Sequence, residues 1–402
     1  MNPNKFREDF PVLQKKVNGK PLIYFDSACM SLKPRQVIQK MNESYEDYTA
    51  CAGRSAHKFG SKVTDEYEKA RERIARFIGS KKEEVVFTRN TTEGLNLVAN
   101  SLDLKKGDTV LTTDREHNSN LIPWQVLSER IGIKHKIVFS KNDMTFDLEN
   151  FKKSLNKSVK LVSFVHSSNL DGYTLPIKEI IKIAHDNGSL VMLDGAQSMP
   201  HKKVSMKDLD VDFFTFSGHK MLGPYGTGVL FGKFHLLEKM RTFMVGGETV
   251  EKTTYEKQWF LKPPHKFEAG LQNYSGMIGL AAACDYLDKV GKENIEKHEV
   301  ELNEIITRGI DDMEGVTILG PHEAGLRGGV ISFLVDKINY HEVALMLDNN
   351  ANIMIRSGQH CVHSWFNAHN IDGSARASLY LYNTKDEAEI FVEELSKIIS
   401  LR

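Results

Sequence analysis

Short apolar runs alternate along most of this chain with amphipathic stretches of helical period. Residues 84–88, 108–113, 160–165, 189–194, 212–217 and 227–231 read as strands, rich in β-branched and aromatic side chains and bounded by Gly, Asp or Asn. Between them, Val63, Tyr67, Ala70, Ile74, Phe77 and Ile78 recur at the spacing of one helix face. Residues 89–98 turn a strand into a helix, and a further helix is expected near 176–187. Strand and helix in alternation predict an α/β fold with a mainly parallel sheet.

The margins read differently. Residues 1–20 are polar with Phe6, Phe10, Val12 and Leu13 as anchors, and predict a short helix and a turn at Asn18-Gly19. A strand at 21–25 and a helix from Pro34 through the forties follow, then a loop over 52–57. The stretch 244–264 breaks the alternation and suggests a hairpin or lid. The motif from Phe267 opens a long helix through Val290, and a second helix runs to about Met313. Strands at 317–319, 329–335 and 376–381, with helices near 340–349 and 385–400, predict a compact α+β unit. Three segments are therefore expected: residues 1–25 packing with the smaller unit, a large domain over 26–290, and a C-terminal domain over 291–402.

Composition narrows the function. A chain of 402 residues exceeds what one core usually serves, so two domains are the default. Fifty-three basic residues balance 53 acidic ones, which argues against a nucleic-acid or membrane-surface partner and favours a small ligand. Cys29, Cys51, Cys284 and Cys361 are far apart with no C-x-x-C pair, so neither a zinc site nor a disulfide framework is expected. Without an apolar leader core or a run long enough to span a bilayer, the sequence reads as cytoplasmic, in a reducing compartment.

Two elements carry candidate chemistry. Lys220 lies in a Gly-rich loop after a buried strand, between Gly218 and Gly223 and beside Met221 and Leu222. Strand ends are where open α/β sheets bind ligands, and a lysine desolvated there becomes a neutral amine able to condense with aldehydes. Most lysines in any chain are merely solvated. Upstream, an apolar run ends in Asp194-Gly195, which places a carboxylate at a neighbouring strand mouth. A lysine that forms a Schiff base and a carboxylate that protonates a pyridine nitrogen are the pair that pyridoxal phosphate requires. The helix start at Thr91 and Thr92 offers hydroxyls and free N–H groups suited to phosphate, or a plain cap from Asn90 or Thr91 with Glu93. His117 directly follows a strand end, and a polar loop with Asn169 follows another.

Ser217-Gly-His-Lys220, Asp194-Gly-Ala-Gln197, Thr91-Thr-Glu-Gly94, Glu116-His117 and Arg356-Ser-Gly-Gln-His-Cys361 together resemble a cysteine desulfurase. The resemblance is to the class V aminotransferase family of fold type I, nearest its SUF-type branch, and runs over nearly the whole chain. It implies a large domain with a mainly parallel seven-stranded sheet plus a smaller C-terminal α+β domain. By resemblance, Lys220 holds the cofactor and moves protons, Asp194 pairs with the ring nitrogen, and Gln197 bonds the ring hydroxyl. His117 stacks on the ring, while Thr91, Thr92, Ser217 and His219 match the phosphate site. Arg376 grips the carboxylate of L-cysteine, with Asn169 as a second contact and Arg356 nearby.

Cys361 decides the reaction that the resemblance implies, taking sulfur as a persulfide and leaving alanine. His360, His363 or Arg356 would help by favouring its thiolate. Cys29, Cys51 and Cys284 read as inert. Zinc held by His360, Cys361 and His363 fits no usual spacing. The short connection from Cys361 to Arg376 goes with the SUF-type branch, whose sulfur passes to a dedicated acceptor protein for iron–sulfur cluster or other sulfur-compound synthesis; a homodimer is also implied. Rival readings are selenocysteine lyase or another class V enzyme, and a non-catalytic docking subunit. Three places depart from the family pattern: the loop Val362-His-Ser-Trp-Phe366, the pair Tyr274-Ser275, and Arg54-Ser-Ala-His57.

Overall fold

The computed structural model describes residues 1–401 of the chain, so the last residue of the expected C-terminal domain lies outside the described residues. At its centre is a seven-stranded sheet in the order Val85–Thr88, Gly228–Gly232, Phe213–Ser217, Leu190–Asp194, Val159–Val165, Thr109–Thr113 and Lys134–Val138. Neighbours from Phe213–Ser217 to Lys134–Val138 are parallel, and only Gly228–Gly232 runs against both of its neighbours. Val85–Thr88, Phe213–Ser217 and Gly228–Gly232 are buried along their whole length, which is why they read as continuous apolar runs rather than alternating ones. This is the α/β architecture of fold type I.

Helices cover the sheet for reasons visible in their ends. In Lys58–Ile78, the His57 ring accepts a hydrogen bond from Gly60 N and Gly79 closes the helix in the left-handed region, at φ 67°. All six apolar residues expected on one face of this helix are buried. Asn90 caps Thr91–Ser101 by accepting from Glu93 N. The motif from Phe267 follows the short turn His265–Phe267, and its long helix begins later, at Tyr274, running to Val290; Lys292–Asp311 follows after Gly291.

A second sheet of four antiparallel strands, ordered Val316–Leu319, Val330–Val335, Ser374–Ser378 and Arg356–Gly358, has its own apolar cluster. Ile23 and Phe25 join that cluster, while Phe10 and Leu13 join the one beneath the large sheet. The amino-terminal segment therefore spans both cores. Residues 244–264 do form a hairpin, Val250–Thr253 with Gln258–Phe260. Among the described residues no helix is long and apolar enough to cross a membrane.

Candidate active site

The parallel strands deliver the first set of residues. Asp194 ends its strand opposite Val165 on one side and Thr215 on the other. Gly195 follows because a Cβ there would collide with the Phe214 ring. The chain then turns so that Ala196 N donates to Asp194 Oδ1 at 2.9 Å and Gln197 Nε2 donates to Ala28 O at 2.7 Å. One strand over, Phe213–Ser217 leads into the tight turn Gly218–Lys220. Ser31 N, Ser31 Oγ and Lys33 Nζ all donate to the His219 carbonyl, so residues from the amino-terminal side pin the turn that presents Lys220.

Burial drives the electrostatics here. Desolvation pulls the Lys220 amine below its ordinary range, against the opposing pull of Asp194. Asp194 is pushed up by the same cause, offset by the Ala196 N–H and by Lys220. Burial holds His117 down to about 3 and His219 to about 4, in each case helped by Lys220, so both rings are neutral near pH 7. His117 Nδ1 accepts from Ser119 N at 3.0 Å, which orients the ring. Behind it, buried Glu116 bonds Thr113, Val165 N and Asn120.

At one end of the site the start of Thr91–Ser101 gathers hydroxyls. Ser217 Oγ accepts from Thr91 N at 2.9 Å and lies 2.8 Å from Thr91 Oγ1, while Thr92 Oγ1 lies 2.7 Å from Ser119 Oγ. The other wall comes from the small sheet. Arg356 and Arg376 face each other in register, and the chain between them carries His360 and Cys361, both in the left-handed region at φ 49° and 60°. Asn118 N donates to Cys361 O at 2.7 Å and Asn169 Nδ2 to His360 O at 2.7 Å, so large-sheet loops hold this segment. Arg376 Nη1 donates to Asn169 O at 2.9 Å, and its Nη2 lies 3.5 Å from Asp26 Oδ1.

All twelve residues singled out from the sequence line one cavity of about 220 Å³: Lys220, Asp194, Gln197, His117, Thr91, Thr92, Ser217, His219, Asn169, Arg356, Cys361 and Arg376. Three buried polar atoms on its wall, Gln197 Oε1, His360 Nδ1 and Arg376 Nε, have no protein partner. Buried polar groups are nearly always satisfied, so these point to a polar ligand. The cavity fits pyridoxal phosphate: an amine, a buried carboxylate beside it, an unmatched amide and a hydroxyl-lined helix start. Among the described residues no group of three or more His, Cys, Asp or Glu is placed to hold a metal ion.

Three expectations are corrected. His360 cannot favour a thiolate as a cation, because burial holds it down to about 2 and its Nε2 is engaged with Ser374 Oγ at 2.9 Å. Cys29, read from the sequence as standing apart from the site, lines the cavity and accepts from Arg356 Nη1 at 3.1 Å. Residues after Cys361 are no loop but the helix His363–Ala368, anchored by Val362, Trp365 and Phe366 in an apolar cluster with Leu170 and Leu319. His363 is exposed and contacts Asn118. Sequence reasoning also missed Ser119 and Ser167; only their places two residues after His117 and Asn169's neighbourhood mark them.

Comparison with known proteins agrees with this geometry. Residues 23–391 match the model of the family described as aminotransferase class-V. The chain is 41% identical over 402 residues to the probable cysteine desulfurase of Halalkalibacterium halodurans, covering 99% of this chain and 98% of that protein. It is 38% identical over 406 residues to the cysteine desulfurase of Haloferax volcanii, covering 97% and 95%. The apo structure of the cysteine desulfurase from Thermococcus onnurineus superposes with a TM-score of 0.95 at 38% identity, covering 100% and 99%. With a family match across nearly its whole length and an amine, carboxylate and thiol meeting in one cavity, the chain belongs to the aminotransferase class-V family.

Proposed function

We propose that this protein is a pyridoxal-phosphate-dependent cysteine desulfurase that converts L-cysteine to L-alanine and keeps the sulfur on Cys361. The observation that carries the reading is one cavity shared by the Lys220 amine, the Cys361 thiol and the Arg376 guanidinium. Lys220 Nζ would hold the cofactor, with Asp194 at its ring nitrogen, Gln197 at its ring hydroxyl and His117 against its face. Thr91, Thr92, Ser217 and His219 would hold its phosphate. When bound, the group supplies an electron-accepting ring conjugated to the amino acid.

The chain's own residues do the rest. Arg376 and Asn169 orient the substrate carboxylate, and Arg356 adds positive charge on the same side. Lys220, whose charged form burial disfavours, takes the proton from the substrate's α-carbon. Cys361 Sγ then bonds to the substrate sulfur as the carbon–sulfur bond breaks, the electron pair staying with the carbon skeleton. Lys220 returns protons to complete alanine.

The SUF-type assignment is supported by the short, fifteen-residue step from Cys361 to Arg376, of which His363–Ala368 is helical. In this reading the persulfide is drained by an acceptor protein in a reducing cytoplasm, where all four cysteines stay unpaired. The protein acts as a homodimer; exposed Tyr225 and Leu271, next to the loops that an Asn273 Nδ2 to Gly226 O bond joins at 3.2 Å, offer apolar surface for a second copy. Residues 26–290 form the cofactor domain and 291–402 the domain bearing the thiol, while 1–25, expected to pack with the latter alone, contributes Phe10 and Leu13 to the large core and Ile23 and Phe25 to the small one.

The test is Cys361→Ala. It is expected to form no alanine and no bound sulfur from L-cysteine while retaining the cofactor's absorbance. Undiminished sulfur release would overturn the assignment in favour of selenocysteine cleavage or other class V chemistry.

A further inference from the structure

The roles above leave one thiol of the cavity unused. Cys29 lines the same cavity as Cys361, and the charge on Lys220 is influenced by both sulfurs. Cys29 Sγ accepts from Arg356 Nη1 at 3.1 Å, and Arg356 stands opposite Arg376 in strand register. Cys29 is also part-exposed, so its sulfur, held by a guanidinium, is open to groups that enter the cavity. The wall around it includes Arg376 and His360, 2% and 5% exposed, each with a buried nitrogen that lacks a protein partner. The other cysteines contrast with it. Burial pushes Cys284 up to about 12, and Cys51 lies outside the cavity.

We propose that Cys29 is a second sulfur-carrying thiol of the site, which takes the sulfane sulfur from Cys361 and holds it beside Arg356. This rests on the reading of Cys361 as first acceptor. Cys29, as thiolate, attacks the terminal sulfur of the Cys361 persulfide. A sulfur–sulfur bond forms at Cys29 while the one at Cys361 breaks, and Cys361 leaves as thiolate with the electron pair. One thiolate is consumed and one released, so no oxidant or reductant enters. The anionic persulfide then rests against a guanidinium, and Cys361 is free for another substrate before an acceptor arrives.

The experiment exposes holoenzyme briefly to L-cysteine carrying a heavy sulfur isotope, alkylates the thiols and maps the label by peptide mass spectrometry. The expected result is label on both the Cys29 and Cys361 peptides of the wild type, on Cys361 alone in Cys29→Ala, and on neither in Cys361→Ala. The wild type should hold about twofold more label per chain than Cys29→Ala, one sulfur for each exchanging thiol. Should Cys361→Ala lose its cofactor absorbance, Cys361→Ser replaces it. Label confined to Cys361 in the wild type, with alanine formed, overturns the relay and leaves the desulfurase reading intact. Label on Cys29 without Cys361 also overturns it, because sulfur would then come straight from substrate. No alanine and no label in the wild type overturns both.

Discussion

The two walls of the cavity are built on different principles. On the large-sheet side, Asp194 and Lys220 follow the ends of adjacent parallel strands, and the topology alone brings them together. On the small-sheet side, Arg356 and Arg376 meet through antiparallel register, and the thiol rides on a short segment with two residues in the left-handed region. The first wall is rigid because it continues the largest core. The second is tied down by a few cross-domain bonds, from Asn118 N and Asn169 Nδ2. Electron-sink chemistry thus sits on the stiff frame, and substrate grip and sulfur handling on the tethered one.

That division is open to direct attack, beginning with the largest effect. Lys220→Ala should lower alanine formation by about 10³-fold or more, through kcat, while cofactor still binds noncovalently. Near-normal turnover would remove Lys220 from proton transfer. Arg376→Ala should instead raise KM for L-cysteine, by about 10–100-fold, the worth of a charge-assisted hydrogen bond. A loss confined to kcat would blur the two walls into one function.

The seam between the two long helices, at Gly291, gives the smallest effect. Lys292 opens the helix after Gly291, with its ammonium 3.7 Å from the Phe77 ring centroid and 3.4 Å from Met199 Sδ. Burial pulls it from 10.5 to about 8, so between these pH values the unfolded chain binds more protons and stability rises with pH. Below about pH 8 the full cost of the buried charge remains. Lys292→Met should therefore raise the melting temperature at pH 7, by about 1–2 kcal/mol in stability, and flatten the slope between pH 8 and 10.5. Identical slopes in both proteins would show that the seam carries no such penalty.

One departure from the family pattern is now explained locally. Tyr274 packs edge-on against Tyr67, with centroids 5.0 Å apart, and Ser275 Oγ donates to the Tyr45 hydroxyl at 2.7 Å. Both side chains are engaged within this chain.

Sequence by itself determined the alternation of strand and helix and the strand-end positions of Asp194 and Lys220. Those follow from hydrophobic period and from neighbours in the chain, which a single sequence carries. Tertiary structure alone decided that His360 is neutral, that the stretch after Cys361 is helical, and that Arg356 reaches Cys29. Residues 29 and 356 lie 327 positions apart in the chain, and nothing local marks their meeting. Burial and cross-domain register set these features, and both exist only once the two cores have docked.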